Sequence, residues 1–142
     1  MGICSTTYGD LVCRGCKRFA HEVIDWNVYD ADQREAIWRR LEGMRGQIVG
    51  RVFMIVDIWV YLAFCREQRL PTTIETKALD DVLASLVRNN NKISAAGLAL
   101  KSDGEIELGS DPDALEVMKR IDVVIYGQAL ANYERNFRVS SA

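Results

Sequence analysis

Three of the four cysteines in this 142-residue chain fall within its first sixteen positions. Cys13 and Cys16 form a C-x-x-C pair around Arg14-Gly15. Two thiolates at that spacing can grip one metal while the intervening backbone turns its N–H groups toward the sulfurs. Arg14, Lys17 and Arg18 add local positive charge, which lowers thiol pKa and favours an anionic sulfur site. Cys4 lies across the Gly9-Asp10 turn from Cys13, close enough to fold back as a third ligand. A closed structural site takes four ligands. Two candidates for the fourth are His21, the only histidine, and Cys65. Zinc and iron–sulfur clusters both accept such donors, and spacing alone does not separate them.

Each of these residues has a plainer reading. A C-x-x-C pair also serves dithiol redox chemistry, but that motif sits between a strand and a helix, and no strand pattern precedes Cys13. Cys65 lies in an apolar stretch, where a cysteine is usually a buried, inert thiol. His21 reads more simply as a helix-surface or hydrogen-bonded histidine.

From Gly2 to about residue 42 the chain resembles a small bacterial domain family of unknown function, described as predicted iron–sulfur proteins (YdhL-type). The matching residues are Cys4, Gly9, Cys13, Gly15, Cys16, Arg18, Glu22, Ile24 and Trp26, followed by a short capped helix from Asp30 to Leu41. The likeness covers under a third of the chain, and it implies a cysteine-ligated centre without supplying a reaction. The family's first cysteine would fall immediately before Met1, which leads us to expect a native start further upstream and one more ligand there. Residues 43–142 carry no such likeness.

The length suits one domain, or a small module plus a modest helical domain, and about 70% of the unfolded surface can be buried without disulfide support. A composition of 49% hydrophobic and 27% charged residues with two prolines excludes a disordered or collagen-like chain. Net charge is −2, so no global basic field favours nucleic acid or an anionic membrane. Residues 1–45 balance seven basic against seven acidic side chains, so the arginines beside the cysteines read as compensation of thiolate charge rather than as a nucleic-acid contact. The N-terminus lacks the apolar core of a secretory signal. The most apolar stretch, Ile48 to Phe64, contains Gly50, Arg51 and Asp57, and its charge-free pieces are too short to span a bilayer. A cytoplasmic location with reduced cysteines is therefore expected, and the close cysteine spacing points to a metal rather than a disulfide framework.

Beyond the cysteines the chain reads as mainly α: an N-terminal cysteine knuckle followed by a small helical bundle. We place a cysteine-containing metal-binding module at 1–45 and a helical domain at 46–142. Asp30 with Gln33 is a capping pair for a helix carrying Ile37, Leu41, Met44 and Ile48 at spacings of four, three and four. Gly43, Gly46 and Gly50 imply either a break or a close backbone approach. A second helical run extends to about Gln68 and closes at Leu70-Pro71. Residues 74–88 present Ile74, Leu79, Val82, Leu83 and Leu86 on one face, and Asn89-Asn90-Asn91 ends that helix. Residues 97–108 fit a β-hairpin turning at Ser102-Asp103-Gly104. Ser110-Asp111-Pro112-Asp113 opens a last helix that runs to about Phe137.

Other chemistry is sparse. Asp57, flanked by Ile55, Val56, Ile58 and Trp59, is either an acid–base group in apolar surroundings or, more simply, a paired or rim residue, with Arg51 and Tyr61 at helical spacings from it. Trp26, Trp38 and Trp59 read as core. No paired histidines, nucleophile elbow or phosphate loop occurs, so an enzyme is not the favoured class. The function expected is a small metal-binding protein with a helical surface for a protein partner. The alternatives are electron transfer to a partner oxidoreductase and a nucleic-acid-binding zinc knuckle. A homodimer is a further option if Ile48–Phe64 is too apolar for one chain to cover.

Overall fold

The computed structural model describes residues 10–73, 75–102, 104 and 106–136. Cys4, Gly9 and Ile74 lie outside the described residues, as does the expected hairpin tip at Asp103. The chain is mainly α, as the apolar spacing implies. Its helices are α1 (Ala20–Ile24), α2 (Ala31–Val52), α3 (Ile58–Glu67), α4 (Thr76–Arg88) and α5 (Ala114–Asn136). Short 3₁₀ turns occupy Trp26–Val28 and Ile93–Ala96. Strands β1 (Phe53–Ile55) and β2 (Leu98–Leu100) form an antiparallel pair in the register Phe53↔Leu100, Met54↔Ala99 and Ile55↔Leu98.

Helix α2 starts where its capping pair places it. Gln33 N–H donates to Asp30 Oδ1 and Asp30 N–H donates to Gln33 Oε1, both at 2.8 Å, which satisfies two donors that the first turn leaves without helical partners. The helix then passes Gly43, Gly46 and Gly50 without a break. A Cβ on Gly43 would meet nothing within 4 Å, so no backbone approach demands that glycine.

The break comes later, and it corrects the expected continuous helix to Gln68. After Val52 three residues run as β1, because Leu98–Leu100 supplies the ladder partners that another helical turn would forgo. Helix α3 restarts on Asp57, whose carboxylate accepts the N–H groups of Trp59 at 3.1 Å and Val60 at 3.2 Å. Strand character at 98–100 is as expected, but the partner is Phe53–Ile55, with α3 and α4 between the two strands in the chain, and not 106–108. The crossing is tight. Gly97 has φ +68°, its carbonyl accepts Val56 N–H at 2.8 Å, and a Cβ there would lie 2.3 Å from Asp57 O.

Helix α4 ends at the asparagines. Asn90 takes φ 55°, a left-handed value that asparagine tolerates, and Asn91 N–H donates to Leu86 O at 2.9 Å. Asn91 O in turn accepts Ala114 N–H at 3.0 Å, so the stop of α4 anchors the start of α5. Pro112 stands before α5 rather than within its first turn, and its carbonyl accepts Ile93 N–H at 3.2 Å.

Two compact units are present. The first comprises the residues up to Met44 and those from Val123 onward; the second is Arg45–Asp122. In the first, Val12, Phe19 and Ala129 form a buried cluster flanked by Met44, Tyr126, Leu130 and Tyr133. In the second, Ile48, Val52, Tyr61, Leu83, Leu86, Ile93, Leu98 and Ile121 are buried; they come from α2, α3, α4, the 3₁₀ turn at Ile93–Ala96, β2 and α5. No helix among the described residues is long and apolar enough to cross a membrane.

Candidate metal centre

Cys13 and Cys16 stand on a short hairpin-like turn. Cys13 N–H donates to Arg18 O at 2.9 Å, Lys17 N–H donates to Cys13 O at 2.9 Å, and Ala20 N–H donates to Leu11 O at 2.8 Å. An isolated antiparallel bridge between Val12 and Phe19 closes the turn at its base. The chain leaves the turn through Lys17, which has φ 69°. A turn followed by a left-handed residue aims successive N–H groups into one concavity, the backbone form that favours anions and cluster sulfurs. Lysine carries a steric cost in that conformation, and its side chain offsets it: Lys17 is buried, and its ammonium donates to the carbonyls of Arg14 and of Gly15, the latter at 3.2 Å. The two cysteines are thus held by a backbone loop that is itself fastened from within.

Neither thiol is in a disulfide. Cys13 is buried and Cys16 half-buried. Arg18 Nε–H donates to Cys16 Sγ at 3.1 Å, so a fixed positive charge faces that sulfur. The guanidinium of Arg18 also lies 4.6 Å from the ring centre of Trp26 and 5.5 Å from that of Trp38. The two indoles meet edge-on at 5.2 Å. Arg34 adds a second guanidinium 5.5 Å from the Trp26 ring and donates to Trp26 O at 3.0 Å.

Behind the turn, the Glu22 carboxylate is buried and takes a bidentate pair from Arg40 at 2.6 and 2.7 Å, plus the Phe19 N–H at 2.8 Å. Burial pushes the Glu22 carboxyl up. The Arg40 hydrogen bonds, the Phe19 N–H and the positive charges of Arg40 and His21 outweigh that push and hold it below its ordinary value. Arg40 also stacks 4.3 Å from the Phe19 ring centre. This carboxylate therefore ties α1 to α2 immediately after the cysteine turn.

The other candidates are placed differently. His21 is on α1, its ring 5.8 Å from Phe19 and 6.5 Å from Tyr133, centre to centre. Cys65 belongs to the second unit, fully buried on α3 with Tyr61 as its hydrogen-bond partner; burial pushes its thiol pKa up, which favours the neutral form. Among the described residues no three His, Cys, Asp or Glu side chains gather in metal-binding geometry. Asp57 is exposed and caps α3, which fits the rim reading and not an acid–base group in apolar surroundings. The tryptophans are not core: Trp38 is 40% and Trp59 75% exposed, while Trp26 is half-buried. For Trp59 the reason is the restart of the helix at Asp57, which resets the register that a continuous run from residue 48 would have had. The Trp26–Trp38 pair around Arg18 was not anticipated. Its only sequence signal was an arginine two residues past the C-x-x-C with tryptophans eight and twenty residues further on.

A family described as Protein of unknown function (DUF1289) has a model that matches residues 1–45, the segment that bears the cysteine turn, α1 and the first part of α2. No curated protein and no solved structure matches the chain.

Proposed function

We propose that this chain is a small metal-binding protein whose cysteine knuckle holds zinc or an iron–sulfur cluster. Cys13 and Cys16 are the chelating pair and Cys4 the third ligand; His21 and Cys65 are the weaker candidates for a fourth. The observation that carries this reading is the turn itself. It presents two unbridged thiols on a loop that exits through a left-handed residue, with a guanidinium donating to Cys16 Sγ. Zinc would make the knuckle a structural clasp; an iron–sulfur cluster would supply one-electron chemistry and make the chain an electron carrier for a partner oxidoreductase. Either centre suits the reduced thiols of the cytoplasm.

The remainder of the chain serves as a surface for a protein partner, which the exposed apolar side chains Met54, Val56, Ile58 and Trp59 support. A nucleic-acid role is less well supported, because Arg14, Arg39 and Arg40 are paired with Asp10, Glu35 and Glu22. The test is metal content with a visible spectrum on anaerobically purified protein. Iron and sulfide with visible absorption would identify a cluster protein, and zinc near one per chain without colour would identify a structural knuckle. Protein that carries neither metal, and takes up neither after reduction, would overturn the proposal.

A further inference from the structure

Arg18 joins two features that the sequence keeps apart. Its Nε–H donates to Cys16 Sγ at 3.1 Å, and the same guanidinium lies over Trp26 at 4.6 Å and near Trp38 at 5.5 Å. A guanidinium is planar and permanently charged, so it can donate from its edge while stacking with its face. We propose that Arg18 is a positioning residue for the knuckle, coupling the metal-bound state of Cys16 to the packing of the Trp26–Trp38 pair. The inference rests on the metal-binding reading above.

The physical chain is short. A metal on Cys16 Sγ withdraws the electron density that Arg18 donates to, which shifts the optimum of the Arg18 hydrogen bond. The guanidinium cannot move without changing its distance to the Trp26 ring, whose face attracts it. Trp26 meets Trp38 edge-on at 5.2 Å, and Trp38 is 40% exposed, so the state of the sulfur reaches the surface of α2. A protein partner contacting that surface can thereby read whether the knuckle is loaded. Groups that orient a ligand from outside the coordination sphere commonly alter metal affinity by about 10- to 100-fold.

The test uses reduced full-length protein in a Trp59→Phe background, where all tryptophan emission comes from Trp26 and Trp38. Cobalt(II) alone reports thiolate ligation through its charge-transfer absorption, and zinc(II) alone competes for the same site without quenching by colour. The expected result is a zinc-dependent change in emission that saturates with displacement of cobalt. Arg18→Lys keeps the charge but loses the planar stack; it is expected to abolish the emission change and to weaken zinc binding by about 10-fold. The emission response of the chain that retains Arg18 needs no folding of that variant. A cobalt band with silent emission, or an Arg18→Lys protein that matches its parent in both readouts, would overturn this inference alone. Absence of a cobalt band in the parent protein would overturn this inference, and together with a failure to take up zinc or iron it would overturn the metal reading as well.

Discussion

Glu22 shows how much one side chain can hold in this chain. It sits behind the cysteine turn, accepts the Phe19 N–H and clasps Arg40 through both oxygens. Glu22→Gln keeps the shape and removes the charge. Because Arg40 is 38% exposed, the charged contact is partly screened, and the expected loss is about 1–2 kcal/mol in urea unfolding at pH 7. The folded carboxyl titrates below its ordinary value of 4.5, so its contribution is full above that value and is lost as pH falls through the lower, folded one. The stability gap between parent and Glu22→Gln should therefore narrow as pH falls below 4.5; a gap that stays constant across the acid limb of the stability profile would show that the charge is not what matters. Gly97 makes the opposite point, because its worth is what it lacks. With φ +68° and Asp57 O in the space of a Cβ, Gly97→Ala should cost about 3 kcal/mol, read as a lower melting temperature by calorimetry.

Among the elements, starts and stops were legible where a side chain does the work locally. Asp30 and Gln33 cap α2 as their spacing implies, and the asparagines end α4 through a left-handed residue. The apolar face of α4, from Leu79 to Leu86, is buried as its period requires. The strand at Phe53–Ile55 was not legible. Its apolar run has no alternation, and its partner lies more than forty residues away, so nothing local distinguishes it from helix. Asp57 was singled out for its apolar neighbours, yet Ile55 ends β1, Ile58 and Trp59 open α3, and the carboxylate caps α3. Asp57→Ala should thus cost about 1 kcal/mol and Asp57→Asn almost nothing, since asparagine caps as well as aspartate. Equal losses from the two substitutions would argue for a charge-dependent role instead. At the cysteine turn the C-x-x-C and its flanking cations were readable from spacing. The left-handed Lys17 and the arginine-bracketed tryptophans were not, because both depend on where the backbone goes after Cys16.

At the scale of the whole molecule, the cysteine turn belongs to the first unit, and the exposed apolar stretch around β1 and α3 belongs to the second. A metal that binds the folded turn and not the unfolded chain stabilises the fold by mass action, by about 2.7 kcal/mol at a hundredfold excess over its dissociation constant. Chelator treatment should lower the melting temperature of loaded protein, and the shift should vanish in a Cys13→Ser, Cys16→Ser double variant. The claim that this turn holds the metal is tested most directly by X-ray absorption at the metal edge of protein purified without oxygen. We predict a shell of sulfur scatterers, at about 2.3 Å if the metal is zinc, that disappears in the double variant. A shell of nitrogen and oxygen alone, or a sulfur shell that survives loss of both cysteines, would contradict the account.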